Sequence, residues 1–256
     1  MAAVRSTDEM ESRDRRARGG ARKLVSGASM SVETPPETAD CPGCGKPRTL
    51  CVCDALGRID NAVEVLVLRH PQEQDKELGT AGLLCRQLAH ATLRTGLSWP
   101  NLAKAAGRDA DTRRWAVLYL GTAKQAPAPE LGPLVAVDRD GTPLTDQAAG
   151  LQAIGGLILL DGNWSQVKAL WWRNPWLLKC RRLVLNPRAP SLYGNLRREP
   201  RRESVSTLEA AGLALAHLEG RPELADTLAA PMRLLLKKVR ALAPQRPRLD
   251  RRRFRR

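Results

Sequence analysis

Five short apolar runs, at residues 63–68, 115–120, 134–137, 157–160 and 183–185, punctuate the chain at separations that leave room for helices between them. Each run is the length of a buried strand and too short for a buried helix, and the first stops at His70-Pro71, where a proline removes a ladder donor. Strands that alternate with helical or Gly/Pro-containing segments imply an α/β fold with a mainly parallel sheet. Thr80 is a plausible N-cap, and Leu84, Leu88 and Ala91 recur at helical spacing behind it. Leu208, Ala211, Leu215 and Leu218 form a second stripe, and Leu224, Leu228, Leu235, Val239 and Leu242 a third, so the C-terminal third is predicted to be helical.

Ahead of the first strand, Cys41-Pro42-Gly43-Cys44 and Cys51-Val52-Cys53 crowd four thiols into one turn-rich segment. Gly43 and Gly45 allow the tight backbone that would point sulfurs inward, and four thiolates at this spacing suit a tetrahedral zinc. The segment has too few apolar residues to fold unaided, so metal would supply the missing stability. A redox pair or plain buried cysteines are the alternatives, and the single residue inside the second pair departs from the commoner spacing of two. Four protein ligands leave no open coordination position, which makes the expected zinc structural. Cys85 and Cys180 stand alone on apolar segments and read as small core residues.

Charge narrows the partners. The 256 residues carry 42 Lys and Arg against 27 Asp and Glu, a formal charge of +15, which favours a polyanion such as RNA, DNA or acidic lipid. Residues 1–38 show no sustained apolar period and are predicted to be a disordered basic arm. From 244 to 256 seven arginines face one acid, Asp250, which predicts a disordered tail until a polyanion is met. No run of eighteen apolar residues occurs, and Asp8, Glu9, Glu11 and Asp14 argue against a transit peptide. The expectation is a cytoplasmic protein with no membrane association and no segment that demands an obligate protein partner.

The run from Leu157 to Lys168 reads as strand, sharp turn and helix, with Asp161 at the carboxyl end of the strand. In parallel α/β sheets ligands collect at that edge, beside exposed backbone N–H groups at helix starts. Asn163 with Gln166 matches a capping pattern, so on spacing alone a role for Asp161 in shaping the turn and nothing more stays open. Ser206 with Glu209 forms a second capping box. Between residues 181 and 202 lie Arg181, Arg182, Arg188, Arg197, Arg198, Arg201 and Arg202 with the single acid Glu199, a guanidinium density that suits phosphates.

The cysteine cluster, His70-Pro71-Gln72-Glu73, Thr80, Asp161-Gly162-Asn163-Trp164, Ser191 with Tyr193 and Arg197, and Ser206-Thr207-Leu208-Glu209-Ala210 occur in the order seen in DTW-domain proteins. The chain resembles that family from residue 41 to about residue 220. The resemblance implies a tRNA-uridine aminocarboxypropyltransferase that uses S-adenosylmethionine as donor and tRNA as acceptor, at N3 of the variable-loop uridine (position 47). It also implies a SPOUT-like sheet, a class in which the chain can be knotted. The implied organisation is a basic arm (1–38), a zinc-knuckle segment (39–56), a catalytic domain with C-terminal helices (57–243) and an Arg-rich tail (244–256). Asp161 is the expected catalytic residue. Leu160, Trp164, Ser206, Thr207 and Glu209 are expected at the donor, and His70, Arg197, Arg198, Arg201 and Arg202 at the RNA. Asn163 stands where the family's signature has Thr, and Gly79 where Asn usually precedes Thr80; Asn still accepts an N-cap hydrogen bond, whereas Gly79 removes a side chain. Two rivals remain at this point: a SPOUT-type RNA methyltransferase using the same donor, and a non-catalytic zinc-knuckle RNA-binding protein.

Overall fold

A computed structural model describes residues 40–118, 128–196 and 205–242. Within them six strands form one sheet: β1 (Glu64–Arg69), β2 (Ala91–Thr95), β3 (Trp115–Leu118), β4 (Leu134–Val137), β5 (Gly156–Asp161) and β6 (Arg181–Leu185), in the order β2-β1-β5-β3-β6-β4. All neighbours are parallel except β4 and β6, which run antiparallel at one edge. The fold is therefore α/β with a mainly parallel sheet, as the apolar runs predict.

Alternation along the strands divides the core between the two faces of the sheet, with a third small cluster of Val135, Val137 and Val184 at the β4–β6 edge. Val65, Val67, Ala116, Leu118, Leu157 and Leu159 face a large cluster built with α1 (Ala81–Gln87), α5 (Thr207–Leu218) and α6 (Glu223–Leu242). Leu66, Leu68, Trp115, Val117 and Ile158 face a smaller one, with Leu102 and Ala105 of α2 (Leu102–Ala106) and the buried Trp176, Leu177 and Cys180. Both C-terminal helices appear where the stripes place them. A Cβ at Gly156 would lie 2.3 Å from the Trp115 ring, so close approach of β5 to β3 requires glycine there.

Two local expectations are corrected. Ala91 does not continue the helix begun after Thr80; it opens β2. The cause is tertiary: Ile59 captures the helix end, its N–H donating to Gln87 O (2.7 Å) while its carbonyl accepts from Ala89 N (2.8 Å). Asn61 then holds the next residue, accepting from His90 N (2.9 Å) and donating to His90 O (3.0 Å), which lays the following residues beside β1. Thr80 precedes α1 but does not cap it through its side chain; its Oγ1 accepts from Leu208 N (3.4 Å) at the start of α5. The arms predicted at 1–38 and 244–256 lie outside the described residues. Among those described, no helix is long and apolar enough to cross a membrane.

Candidate active site and metal centre

The cysteine segment is a knuckle fastened to the sheet domain. Gly45 adopts φ 64°, a left-handed turn that closes the loop through Gly45 N to Cys41 O (2.8 Å) and Cys41 N to Lys46 O (2.7 Å). Leu50 and Val52, between the thiols, are buried in the large core. All four sulfurs lie within 4.8 Å of one another, with Cys41–Cys53 at 3.8 Å and Cys44–Cys51 at 3.9 Å. A tetrahedral zinc with Zn–S bonds of about 2.3 Å requires S···S edges of about 3.8 Å. The set can hold a metal ion such as zinc.

Its surroundings suit that charge. Four thiolates around a divalent ion leave a net negative centre, and three cations donate to the segment or beside it: Arg86 to Gly43 O (2.6 Å), Lys238 to Cys51 O, and Lys46 to Glu77 O (2.5 Å) and Gly79 O (2.9 Å). Without metal the thiols are unlike. The backbone N–H of Cys44, then the Cys51 thiol and the N–H of Gly43, pull Cys41 down to about 6, while burial pushes Cys51 and Cys53 up.

Asp161 ends β5 opposite Arg69, the last residue of β1, and its carbonyl accepts from His70 N (2.9 Å). Asp161 is 9% exposed, and its carboxylate accepts at Oδ1 from Thr207 Oγ1 at 2.5 Å. Thr207 is the first residue of α5, and α4 (Trp164–Arg173) starts three residues after Asp161, so two helix N-termini meet at one carboxylate. That is the carboxyl edge of the parallel sheet, the ligand edge of such folds. Gly162 is required at the turn: a Cβ there would stand 2.8 Å from Gln166 Cβ.

Both capping boxes form. Asn163 accepts from Gln166 N (3.1 Å) while Gln166 Oε1 accepts from Asn163 N (2.6 Å), so replacement of the usual Thr leaves the turn intact. Gln166 also donates to Gln72 Oε1 (3.2 Å), tying the His70-Pro71-Gln72 loop to the Asp161 turn. His70 Nδ1 accepts from Gln72 N (3.2 Å), which leaves Nε2 to carry the proton of the neutral ring. Ser206 is buried; its Oγ accepts from Glu209 N (3.1 Å). Glu209 gathers Ser206 N (2.9 Å), Ser191 Oγ (2.8 Å) and Leu192 N (2.8 Å), and Tyr193 donates its hydroxyl to Leu78 O (2.6 Å). The 191–193 loop is thereby pinned beside α5. Glu209→Gln should loosen it at a cost of about 1–3 kcal/mol, because the gathered donors lose a charged acceptor. Thermal melting measures the loss, and a melt equal to wild type would show that Glu209 does not hold the loop.

Leu160 is half-buried against the smaller core, and Trp164 is 39% exposed at the first turn of α4. The four arginines expected at RNA, Arg197, Arg198, Arg201 and Arg202, lie outside the described residues. Arg181 and Arg182, counted with them in the basic segment, have internal tasks: Arg181 donates to Arg113 O (2.9 Å) and Gly150 O (3.1 Å), and Arg182 to Arg139 O while its guanidinium lies 5.6 Å from the Trp171 ring centroid. Cys85 and Cys180 pack against the apolar cores; burial, and for Cys85 next the Asp161 charge, pushes each thiol up to about 12, which disfavours the thiolate that a nucleophile would need. Sequence patterns do not indicate that Thr207 and Arg69 flank Asp161, since neither pairing has a local signature. Two open clefts lie at the opposite edge of the sheet, around Asp60, His90 and Arg221 and around Glu64, His90 and Trp115. Neither includes Asp161, and neither shares its position at a strand's carboxyl end.

A family model described as the DTW domain matches residues 38–240. A protein named tRNA-uridine aminocarboxypropyltransferase 2 from Drosophila melanogaster is 32% identical over 214 residues, covering 81% of this chain and 78% of that protein. Proteins of the same name from Macaca fascicularis and Mus musculus are 26% and 27% identical over 215 residues, covering 80% of this chain and 65% of each relative. No solved structure matches the chain.

Proposed function

Because the chain belongs to the DTW-domain family, we propose that it is a tRNA-uridine aminocarboxypropyltransferase using S-adenosylmethionine as donor. The observation that carries this reading is the buried carboxylate of Asp161, held by Thr207 at 2.5 Å where α4 and α5 begin at the carboxyl edge of the sheet. A buried anion there suits a cationic sulfonium, and helix-start N–H groups suit a carboxylate on the donor's amino-acid arm.

The bound donor supplies an electrophilic methylene next to its sulfonium. Transfer forms one bond, from uridine N3 to that methylene, and breaks one, from the methylene to sulfur, whose electron pair leaves with the thioether. The N3 proton must go to a base as attack begins. Asp161 takes that proton or aligns the group that does, and offsets the sulfonium charge before it is lost. Thr207 fixes the carboxylate's rotamer through its hydroxyl, and Ser206 sets the start of α5 that presents its N–H groups. Leu160 and Trp164 offer an apolar wall and an indole for adenine or uracil to stack on. Glu209 acts through the 191–193 loop it organises. A zinc held by Cys41, Cys44, Cys51 and Cys53 is structural, since four ligands leave no position for substrate. In this reading half-buried His70, at the Asp161 turn, meets the RNA there, while Arg197, Arg198, Arg201, Arg202 and the two basic arms supply phosphate contacts in a cytoplasmic, non-membrane enzyme.

The deciding experiment treats an unmodified tRNA transcript with the purified protein and S-adenosylmethionine, followed by mass analysis of the nucleosides. An aminocarboxypropyl adduct on uridine is expected; a methyl adduct would identify a methyltransferase, and no adduct with retained RNA binding a non-catalytic RNA-binding protein.

Binding of tRNA should also weaken steeply with salt, because phosphate contacts release counterions. Removing residues 245–256 should lower the slope of log affinity against log salt by several phosphate contacts while sparing turnover at saturating tRNA. Loss of turnover at saturation would instead place that tail in the active site.

A further inference from the structure

Helix α4 carries the exposed face that begins with Trp164 at the Asp161 turn on past the site, to Lys168 and Trp172, which the chemistry at Asp161 does not use. Trp164, Lys168 and Trp172 fall at positions i, i+4 and i+8, and all three are exposed, Trp172 by 77%. The opposite side of the helix buries Gln166, Val167 and Leu170. The neighbouring indoles serve the fold: Trp171 packs against the smaller core beneath Arg182, and buried Trp176 donates Nε1–H to Trp99 O (3.0 Å). Trp172 belongs to none of the three core clusters.

Along the chain, charge through this helix and the segment after it has one sign. From Gly162 to Arg198 the chain contains no Asp or Glu, while Lys168, Arg173, Lys179, Arg181, Arg182, Arg188, Arg197 and Arg198 fall within it. Arg181 and Arg182 are engaged by backbone carbonyls, but Lys168, Arg173 and Lys179 are exposed on α4 and the turn that follows it. A patch built for a folded protein would have an apolar centre depleted of charge. Exposed indoles interleaved with cations, on a stretch of chain free of acids from Gly162 onward, fit a different partner, a single strand whose bases stack while its phosphates meet cations.

We propose that the Trp164–Lys168–Trp172 face of α4, with Arg173 and Lys179 beside it, is a stacking track for unpaired nucleotides of the tRNA. The inference rests on the reading of tRNA as substrate. Eight residues at 1.5 Å each separate the two exposed indoles by about 12 Å along the helix, which corresponds to roughly three nucleotide steps at 3.4 Å each. The track starts at the turn that carries Asp161, so it holds the nucleotides flanking the target uridine. Stacking accepts any base but needs it unpaired, so the track selects a loop over a duplex without reading sequence. Specificity for a loop uridine then comes partly from this helix and not from the carboxylate alone.

The test compares the full-length wild type with Trp172→Ala and Trp172→Phe on three probes: an unmodified tRNA transcript, a single-stranded oligouridylate, and an RNA duplex of matched length. Trp172→Ala should bind tRNA and oligouridylate about 10-fold more weakly or worse, duplex binding should change little, and Trp172→Phe should recover most of the loss. In turnover the defect should fall on KM for tRNA and not on kcat. Equal losses on duplex and single strand would reduce the face to a plain basic surface and overturn the track. So would unchanged RNA binding, whether or not Trp172→Ala altered the oligomeric state; a shift in that state would instead mark an interface between copies. A wild type that modifies tRNA with no dependence on Trp172 would overturn the track alone. A wild type that neither binds nor modifies tRNA would overturn the reading beneath it, and the track with it. Because Trp172 is largely exposed, a melting temperature close to wild type is expected for both variants.

Discussion

Asp161→Asn should give a folded, metal-loaded protein that still binds tRNA but transfers the aminocarboxypropyl group about 10²–10⁴-fold more slowly at saturating tRNA and donor, the usual cost of losing a general base. The substitution is nearly isosteric. The amide oxygen of the new side chain can still accept from the Thr207 hydroxyl, and the backbone carbonyl at the same position still accepts from His70 N, so the turn and its ties to α5 and β1 survive. What disappears is the negative charge at the meeting point of two helix N-termini. If Asp161 only shaped the turn, the variant would keep its turnover, and any loss would fall on stability alone. Turnover measured beside thermal melting therefore separates the two roles: near-wild-type turnover excludes an essential charge, and a collapsed melting temperature returns Asp161 to a structural part. Thr207→Val, which removes the hydroxyl that orients the carboxylate while keeping a β-branched shape, should show a smaller defect of the same kind.

Cys44→Ser should release the metal and destabilise the whole domain, not the knuckle alone. The knuckle has little core of its own, yet Leu50 and Val52 within it are buried against the main cluster, and Lys238 of α6 donates to Cys51 O. Loss of a structural metal belongs with the few single changes that cost more than about 4–5 kcal/mol. For a domain of this size each kcal/mol moves the melting temperature by about 2–4 °C, so a fall of roughly 10–20 °C is expected. Metal analysis should find one zinc per wild-type chain and substantially less than one in the variant, and a strong chelator should reproduce the destabilisation in the wild type. Well-folded wild-type protein with no stoichiometric metal, or an unchanged melt for Cys44→Ser, would remove zinc from the account. Were the thiols a redox pair, the melt would follow oxidant and reductant instead of chelator.

Elements with a local cause were legible in the sequence. The runs at 134–137 and 157–160 become strands because alternate residues can face two cores, and the stripes at 208–218 and 224–242 become helices because each repeats an apolar residue every three or four positions. The two capping boxes form as their spacing requires, since a side chain three residues from a helix start can reach only a few backbone groups. Four thiols in one short segment converge for the same reason of proximity.

Tertiary structure decided whatever depends on which distant segments become neighbours. Alternation assigns a residue to a face of a strand but says nothing of the strand beside it, so the order β2-β1-β5-β3-β6-β4 could not be read from period alone. That order brings Arg69 and His70 to Asp161, and the packing of α5 against the sheet brings Thr207 to the same carboxylate from 46 residues away. It also turned Ala91 from a helical position into a strand, because Ile59 and Asn61 capture the chain after Gln87. The same holds for charge: composition predicted a basic protein, but only the folded chain withdraws Arg181 and Arg182 to backbone carbonyls while leaving Lys168 and Trp172 exposed on α4, since a guanidinium can satisfy buried oxygens only where the fold supplies them.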